Sequence, residues 1–288
     1  MKAMMLFTNK ACLGYHAQGH PERPQRVEAT VAHLKALDRD WNWGTFEKAE
    51  ESVLERTHPA AHLARLQEPR HFDADTAYHE GIYDIARLAT GALLAAMNAA
   101  LQGEKAFSLM RPPGHHAEAI TAMGFCYLNH VAIAAMEALA RGIDRVAVWD
   151  FDAHHGNGTE ALLRGVDGTR YVSAHQHPCY PGTGVTSVDN CINFPVPPQT
   201  SAVEHMETLS DSWEAVLSFK PQLVLVSAGF DAYELDPLTD MRLRVEDFET
   251  LGTWLDQSEI PTAALLEGGY SEDLPELVEA FLRGWSPS

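Results

Sequence analysis

Short apolar runs alternate with helix-spaced amphipathic stretches along most of the chain. Residues 3–7 form the first apolar run and read as a strand. Pro24 suits the first turn of a helix that continues through Val27, Val31, Leu34 and Leu37. In residues 51–66, Val53, Leu54, His62, Leu63 and Leu66 fall near one helical face, which predicts a helix. Residues 72–76 read as loop. Residues 83–101 are Ala-rich and apolar nearly all round, the pattern of a well-buried helix closing near Gly103.

From there the pattern repeats. Residues 107–110, 146–149, 171–174, 223–227 and 262–266 are brief apolar runs that predict strands. Helical spacing fills residues 131–141, 203–219 and 245–255. Strands alternating with helices predict an α/β fold, a central parallel β-sheet with helices on both faces. No repeat, linker or low-complexity segment interrupts residues 1–288, so a single domain is expected.

The polar residues that follow these runs carry the chemistry. Asp150, Asp152 and His154 come at every second position after the run 146–149. In extended chain such residues share one face. His115 and His116 follow Arg111-Pro112-Pro113-Gly114, Asp231 follows the run 223–227, and Tyr270 follows Glu267-Gly268-Gly269. In parallel sheets, ligands bind at the carboxyl ends of the strands. All these residues are therefore expected on one rim.

Asp152, His154 and Asp231 would give a cation one nitrogen and two carboxylates, leaving a position open for water or substrate, as in catalytic zinc sites. The histidine favours zinc, iron or manganese over magnesium or calcium. The bland alternative is a polar loop with solvated acids, but so many acids and imidazoles are costly to bury without a partner. Beside a metal, adjacent histidines can serve as acid and base, and Tyr270 can donate to a developing oxyanion. A chance surface pair and a core aromatic are the plainer alternatives. Together the parts describe metal-assisted hydrolysis of an amide. Neither a Gly-x-Ser-x-Gly elbow nor a P-loop is present, which disfavours a serine acyl-enzyme or a nucleotide enzyme.

Composition narrows the partners. The formal net charge of -19 argues against a general binder of nucleic acid or anionic membranes. The longest apolar stretch falls short of the roughly 20 residues of a membrane span. The four scattered cysteines suit a reducing compartment, and a cytoplasmic location is expected.

These pieces resemble the zinc-dependent histone deacetylase family, in particular its class II-like bacterial amidohydrolases. The resemblance rests on His20-Pro21-Glu22-Arg23-Pro24-Gln25-Arg26, Arg111 to His116, Gly124-Phe125-Cys126-Tyr127-Leu128-Asn129, Asp150 to Thr159, Tyr180-Pro181-Gly182-Thr183-Gly184, Ser227 to Asp231 and Glu267 to Tyr270, in the family's order over nearly the whole chain. It implies the three-layer arginase-deacetylase fold and hydrolysis of acetyl-lysine, or a small acetylated amine, to free amine and acetate. It also implies catalytic zinc on Asp152, His154 and Asp231, with His116 as general base and acid and His115 as its electrostatic partner. Tyr270 would polarise the carbonyl, with Asp150 behind His115 and Asn157 behind His116. A structural potassium ion would lie among Asp150, Asp152, His154, Ser173 and Ala174. Gly124, Phe125 and Tyr180 would line the substrate channel, with Gly268 placed beside them and Arg26 in an interior pocket below the metal. Asp73 or Asp75 would supply a rim carboxylate.

Asn157 is informative, because a neutral partner stabilises imidazolium less than a carboxylate does. His115 is thus expected to hold its proton more tightly than His116. The chain is short for the family, so the mouth is expected to be more open or completed by a second subunit in a homo-oligomer. Three rival functions share these parts: an acetylpolyamine amidohydrolase, a long-chain lysine deacylase and an arginase-like manganese hydrolase. Leu238 stands where a polyamine-selective relative carries a glutamate, and Asp231 is not followed by a second metal-bridging aspartate. A silent acyl-lysine-binding module would be expected to have lost a ligand or Tyr270, and none is missing.

Overall fold

The computed structural model describes residues 4–287. Eight strands form one sheet: β1 (Met4–Phe7), β2 (Trp41–Gly44), β3 (Lys105–Ser108), β4 (Val146–Asp150), β5 (Thr169–Gln176), β6 (Cys191–Val196), β7 (Leu223–Ala228) and β8 (Thr262–Leu266). Their order is β2-β1-β3-β8-β7-β4-β5-β6, and every neighbouring pair is parallel. Each residue of β4, β7 and β8 is buried, which is why they read as continuous apolar runs rather than as alternation.

The helices are α1 (Gln25–Ala36), α2 (Glu51–Leu54), α3 (Ala60–Arg65), α4 (Ile82–Leu101), α5 (His130–Ala140), α6 (Asn157–Leu163), α7 (Ala202–Ser218), α8 (Val245–Ser258) and α9 (Leu274–Trp285). Helices α4 and α5 pack on one face of the sheet. On the other face, Trp149 of β4 meets Trp213 of α7 and Trp254 of α8, and its indole N–H donates to Ser212 Oγ at 3.0 Å. Phe281 of α9 packs there against Phe107, Phe151 and Phe230. The three-layer expectation is thus met.

Some sequence expectations need correction. The single helix expected over residues 51–66 is two short ones, α2 and α3, parted at Pro59, which cannot donate to a continuing helix. Edge strands β2 and β6 and helix α9 had no counterpart in the reading, although Leu274, Leu277, Val278, Phe281, Leu282 and Trp285 are buried at helical spacing. By length and composition α4 could cross a membrane, contrary to the reading of that stretch, but it packs against β1, β3, β8 and α5. Residue 3, placed in the first strand, lies outside the described residues.

The chain order matters for the site. After β4 the chain runs outward through β5 and β6, then returns to insert β7 and β8 between β4 and β3. The carboxyl ends of β3, β8, β7 and β4 therefore stand side by side, and each opens into a loop carrying a candidate residue.

Candidate active site

Strand β4 ends at Asp150, so the three alternating residues are not all in extended chain. Nested side-chain bonds gather them instead. Asp150 Oδ1 accepts from Asp152 N–H at 3.2 Å, and Asp152 Oδ1 accepts from His154 N–H at 2.9 Å. Short acidic side chains compete in this way for backbone donors and end the strand.

Asp231, from the loop after β7, completes a buried group. Ligand atoms of Asp152, His154 and Asp231 all lie within 4.8 Å of one another, the one such group found among the described residues. His154 Nδ1 is 2.8 Å from Asp231 Oδ2 and 3.2 Å from Asp152 Oδ1. The other carboxylate oxygens are tied to backbone: Asp152 Oδ2 accepts from Gly268 N–H at 2.7 Å and Asp231 Oδ1 from Ala153 N–H at 2.8 Å. Burial, and then the Asp152 charge, push the Asp231 carboxyl above its usual range. Two acids so close together need a positive charge between them. One nitrogen and two oxygens held from three directions fit a divalent cation.

His115 and His116 leave the loop after β3 with their rings 4.0 Å apart. His115 Nδ1 is 3.1 Å from Asp150 Oδ2, which also accepts from Tyr171 OH at 2.9 Å. His116 Nδ1 is 2.8 Å from Asn157 Oδ1, whose amide nitrogen donates to Glu118 at 2.9 Å. Burial lowers the His115 pKa, but the Asp152 and Asp150 carboxylates outweigh it and raise the pKa to about 10. His116 is pushed well below the usual range by burial, then by the charges of His115 and His154. The order matches the expectation drawn from Asn157. In a histidine-resolved NMR titration, His115 should keep its proton through pH 7 while His116 stays neutral. The reverse order would contradict this electrostatic assignment.

Tyr270 follows β8, and its ring lies 4.6 Å from the Arg26 guanidinium and 5.9 Å from the Phe125 ring. Arg26 is buried, with Nε donating to Gly269 O at 2.6 Å, so it braces the turn from behind. The Tyr270 backbone N–H donates to Asp236 Oδ2 at 2.7 Å. Burial raises the Tyr270 phenol well above its usual range and keeps it protonated.

His115, His116, His154 and Tyr270 share a cavity of about 320 Å³ with Gly124, Phe125, Tyr180 and Leu238. Gly124 has φ +56, and a Cβ there would come within 2.5 Å of the His116 ring, so a larger residue would displace that ring. Gly268 is not on this wall. It lies beneath the ligands, where a Cβ would meet Asp231 Oδ2 at 2.2 Å. Of the two rim acids, Asp75 lines the cavity, whereas Asp73 Oδ1 accepts from the N–H of Asp75 at 2.9 Å. Ser173 sits beside Asp150 in the β4–β5 register, and Ala174 is the next residue. Arg23, read as a surface charge, is a half-exposed partner of Glu272.

Several supporting residues were not singled out from sequence. Glu267 Oε2 accepts from Gly114 N–H at 2.6 Å and its Oε1 from Ser227 Oγ at 3.0 Å, tying the histidine loop to β7 and β8. Asn129 Nδ2 donates to Ala117 O and Thr159 Oγ1, both at 3.1 Å, joining that loop to α6. Arg111, fully buried, grips Glu22 through two bonds of 2.5 and 2.6 Å. The only signal for these was their place inside the motifs.

A buried Asp-His-Asp group, a histidine pair and a phenol at the carboxyl edge of a parallel sheet define a metal-dependent amide hydrolase of the arginase-deacetylase fold. The chain belongs to the histone deacetylase family: the family's pattern, described as "Histone deacetylase domain", matches residues 20–285. It is 35% identical to the "Histone deacetylase-like amidohydrolase" of Pseudomonas aeruginosa, covering 89% of this chain and 74% of that protein. It is also 35% identical to a "Probable deacetylase" of Archaeoglobus fulgidus, covering 88% of this chain and 77% of that protein. The crystal structure of acetylpolyamine aminohydrolase from Burkholderia pseudomallei is similar with a TM-score of 0.91 at 26% identity, covering 99% of each chain.

Proposed function

We propose that this chain is a zinc-dependent deacetylase that hydrolyses acetyl-lysine, or a related acylated amine, to free amine and acetate. The observation that carries this reading is one cavity lined by His116, Tyr270 and His154, the last of these gathered with Asp152 and Asp231. A zinc ion held by those three residues would polarise the amide carbonyl and acidify a water.

The other roles belong to the chain's own side chains. His116, neutral and held at Nδ1 by Asn157, offers Nε2 to take a proton from the attacking water and return it to the leaving nitrogen. His115, kept protonated by Asp152 and Asp150, places a positive charge beside the developing negative one. Tyr270 donates a hydrogen bond to the amide oxygen as charge gathers there. Phe125 and Tyr180 flank the alkyl chain and exclude water. The structural potassium is proposed among Asp150, Asp152, His154, Ser173 and Ala174, an oxygen-rich set whose members on β4 and β5 are sheet neighbours.

The substrate choice rests on the mouth. Asp75 is the one carboxylate lining the cavity, and Leu238 occupies its edge, a poor match for a polycation. The test is a rate comparison on zinc-loaded protein, with an acetyl-lysine peptide against an N-acetylated polyamine. The peptide is expected to win. Leu238→Glu should shift the ratio toward the polyamine by about tenfold, the size of a single favourable pocket contact. A wild-type preference for the polyamine would keep the chemistry and replace the substrate class.

A further inference from the structure

One wall of the cavity stands on a backbone conformation that its residue disfavours. Gly124 and Phe125 both have positive φ, +56 and +68. Across them Met123 N–H donates to Cys126 O at 3.0 Å and Cys126 N–H donates to Met123 O at 2.9 Å. This is a two-residue turn with both central residues left-handed, which glycine adopts freely and a bulky side chain resists. The other non-glycine residues with positive φ among the described residues are Asp189, Gln199, Lys220 and Glu259, all polar. Phe125 differs from them in where its ring goes: it lines the cavity and lies 5.9 Å from the Tyr270 ring. Backbone strain of this kind persists only where the surroundings over-determine it.

Three buried side chains, none of them lining the cavity, supply that constraint. Thr76 Oγ1 accepts from Phe125 N–H at 3.1 Å, at the tip of the turn. His62 Nε2 donates to Tyr127 O at 2.9 Å, two residues further on. His58 spans the base of the loop: its Nε2 accepts from Asn129 N–H at 2.9 Å and its Nδ1 donates to Ala119 O at 3.2 Å. The two imidazoles stack on each other, with centroids 4.8 Å apart and planes 23° from parallel. Burial, and then the neighbouring His62, lower the His58 pKa to about 3. The ring therefore stays neutral, with the one donor and one acceptor its two bonds need. Residues 119–129 are thus fastened at both ends and at the tip.

Resting on the deacetylase reading above, we propose that His62, His58 and Thr76 are positioning residues of the substrate channel: they hold Phe125 in its left-handed turn, so that its ring meets the substrate's alkyl chain, and they touch no substrate themselves. His62→Leu removes the donor to Tyr127 O and keeps the space filled, whereas His62→Gln keeps a donor. With zinc-loaded enzyme and an acetyl-lysine peptide, His62→Leu should raise KM by about tenfold, the effect of leaving one buried acceptor unpaired, with kcat within a few-fold. His62→Gln should recover most of that loss. In a Phe125→Ala background, His62→Leu should raise KM by less than about twofold, because the ring it positions is gone. Equal losses in both backgrounds would make His62 a support of the fold alone and overturn the proposal. Thr76→Val, which keeps the volume, serves the same cycle if His62→Leu does not fold. Amide hydrogen exchange needs no turnover: in His62→Leu or Thr76→Val, residues 119–128 should exchange about tenfold faster while α4 and β4 keep their rates. Unchanged exchange in that loop, or equal acceleration in α4 and β4, overturns the proposal. A wild type that hydrolyses no acetylated amine overturns the deacetylase reading, and the exchange rates still decide whether these residues hold the wall.

Discussion

Asp231→Ala is expected to lose stoichiometric metal and with it essentially all hydrolysis. Asp231 supplies one of three converging donors, and its Oδ2 sits 2.8 Å from His154 Nδ1. Its removal leaves Asp152 and His154 alone, too few for a closed grip on a divalent ion. Loss of a partner outside the ligand shell already costs roughly 10–100-fold in affinity or activity, so loss of a ligand should exceed that. Folding gives an independent readout. A cation that binds only the folded state raises the Tm by mass action, so zinc should stabilise the wild type and a chelator should reverse it. The variant should show neither effect. Elemental analysis after dialysis, with thermal melts, decides the matter. A variant that retains one zinc per chain would remove Asp231 from the ligand set.

Tyr270→Phe should keep the fold and the metal but lower kcat by about 10²–10³-fold, the usual cost of removing one preorganised oxyanion donor. The substitution deletes only the phenol oxygen. The ring keeps its place between Arg26 and Phe125, and the backbone N–H still donates to Asp236. KM should change little, since the hydrogen bond strengthens only as charge builds on the carbonyl oxygen. Side-by-side steady-state kinetics on zinc-loaded proteins, at matched metal content, provide the check. A kcat within a few-fold of wild type would leave the phenol as packing alone.

Much of this site was legible before any coordinates. Asp150, Asp152 and His154 announced themselves by spacing after an apolar run, and Asp231 and Tyr270 by following other such runs. The uncharged Asn157 led to the right order of the two histidine pKa values, but burial and the charges of His115 and His154 are what lower His116. Other features could not be read. Pro59 divides residues 51–66 into two helices, although the apolar spacing alone is continuous. Glu267, Asp236 and Asn129 act through single hydrogen bonds to loops far away in sequence, and local pattern holds no record of such partners. Gly268 reads like part of a channel motif, yet the fold puts it under the candidate metal ligands.

The sequence by itself determined the parallel α/β class, the buried helix α4, the identity of the candidate ligands and their place at strand ends. It could do so because burial on both sheet faces forces continuous apolar runs, and because acids and imidazoles must cluster where those runs stop. The tertiary structure alone decided that β7 and β8 insert between β4 and β3. That strand order brings residues 115, 154 and 270 into one cavity, with Asp231 buried against His154, and puts Leu238 at the cavity's edge. It depends on long-range pairing, whose free energy is spread over the whole core and is written in no short stretch of the chain.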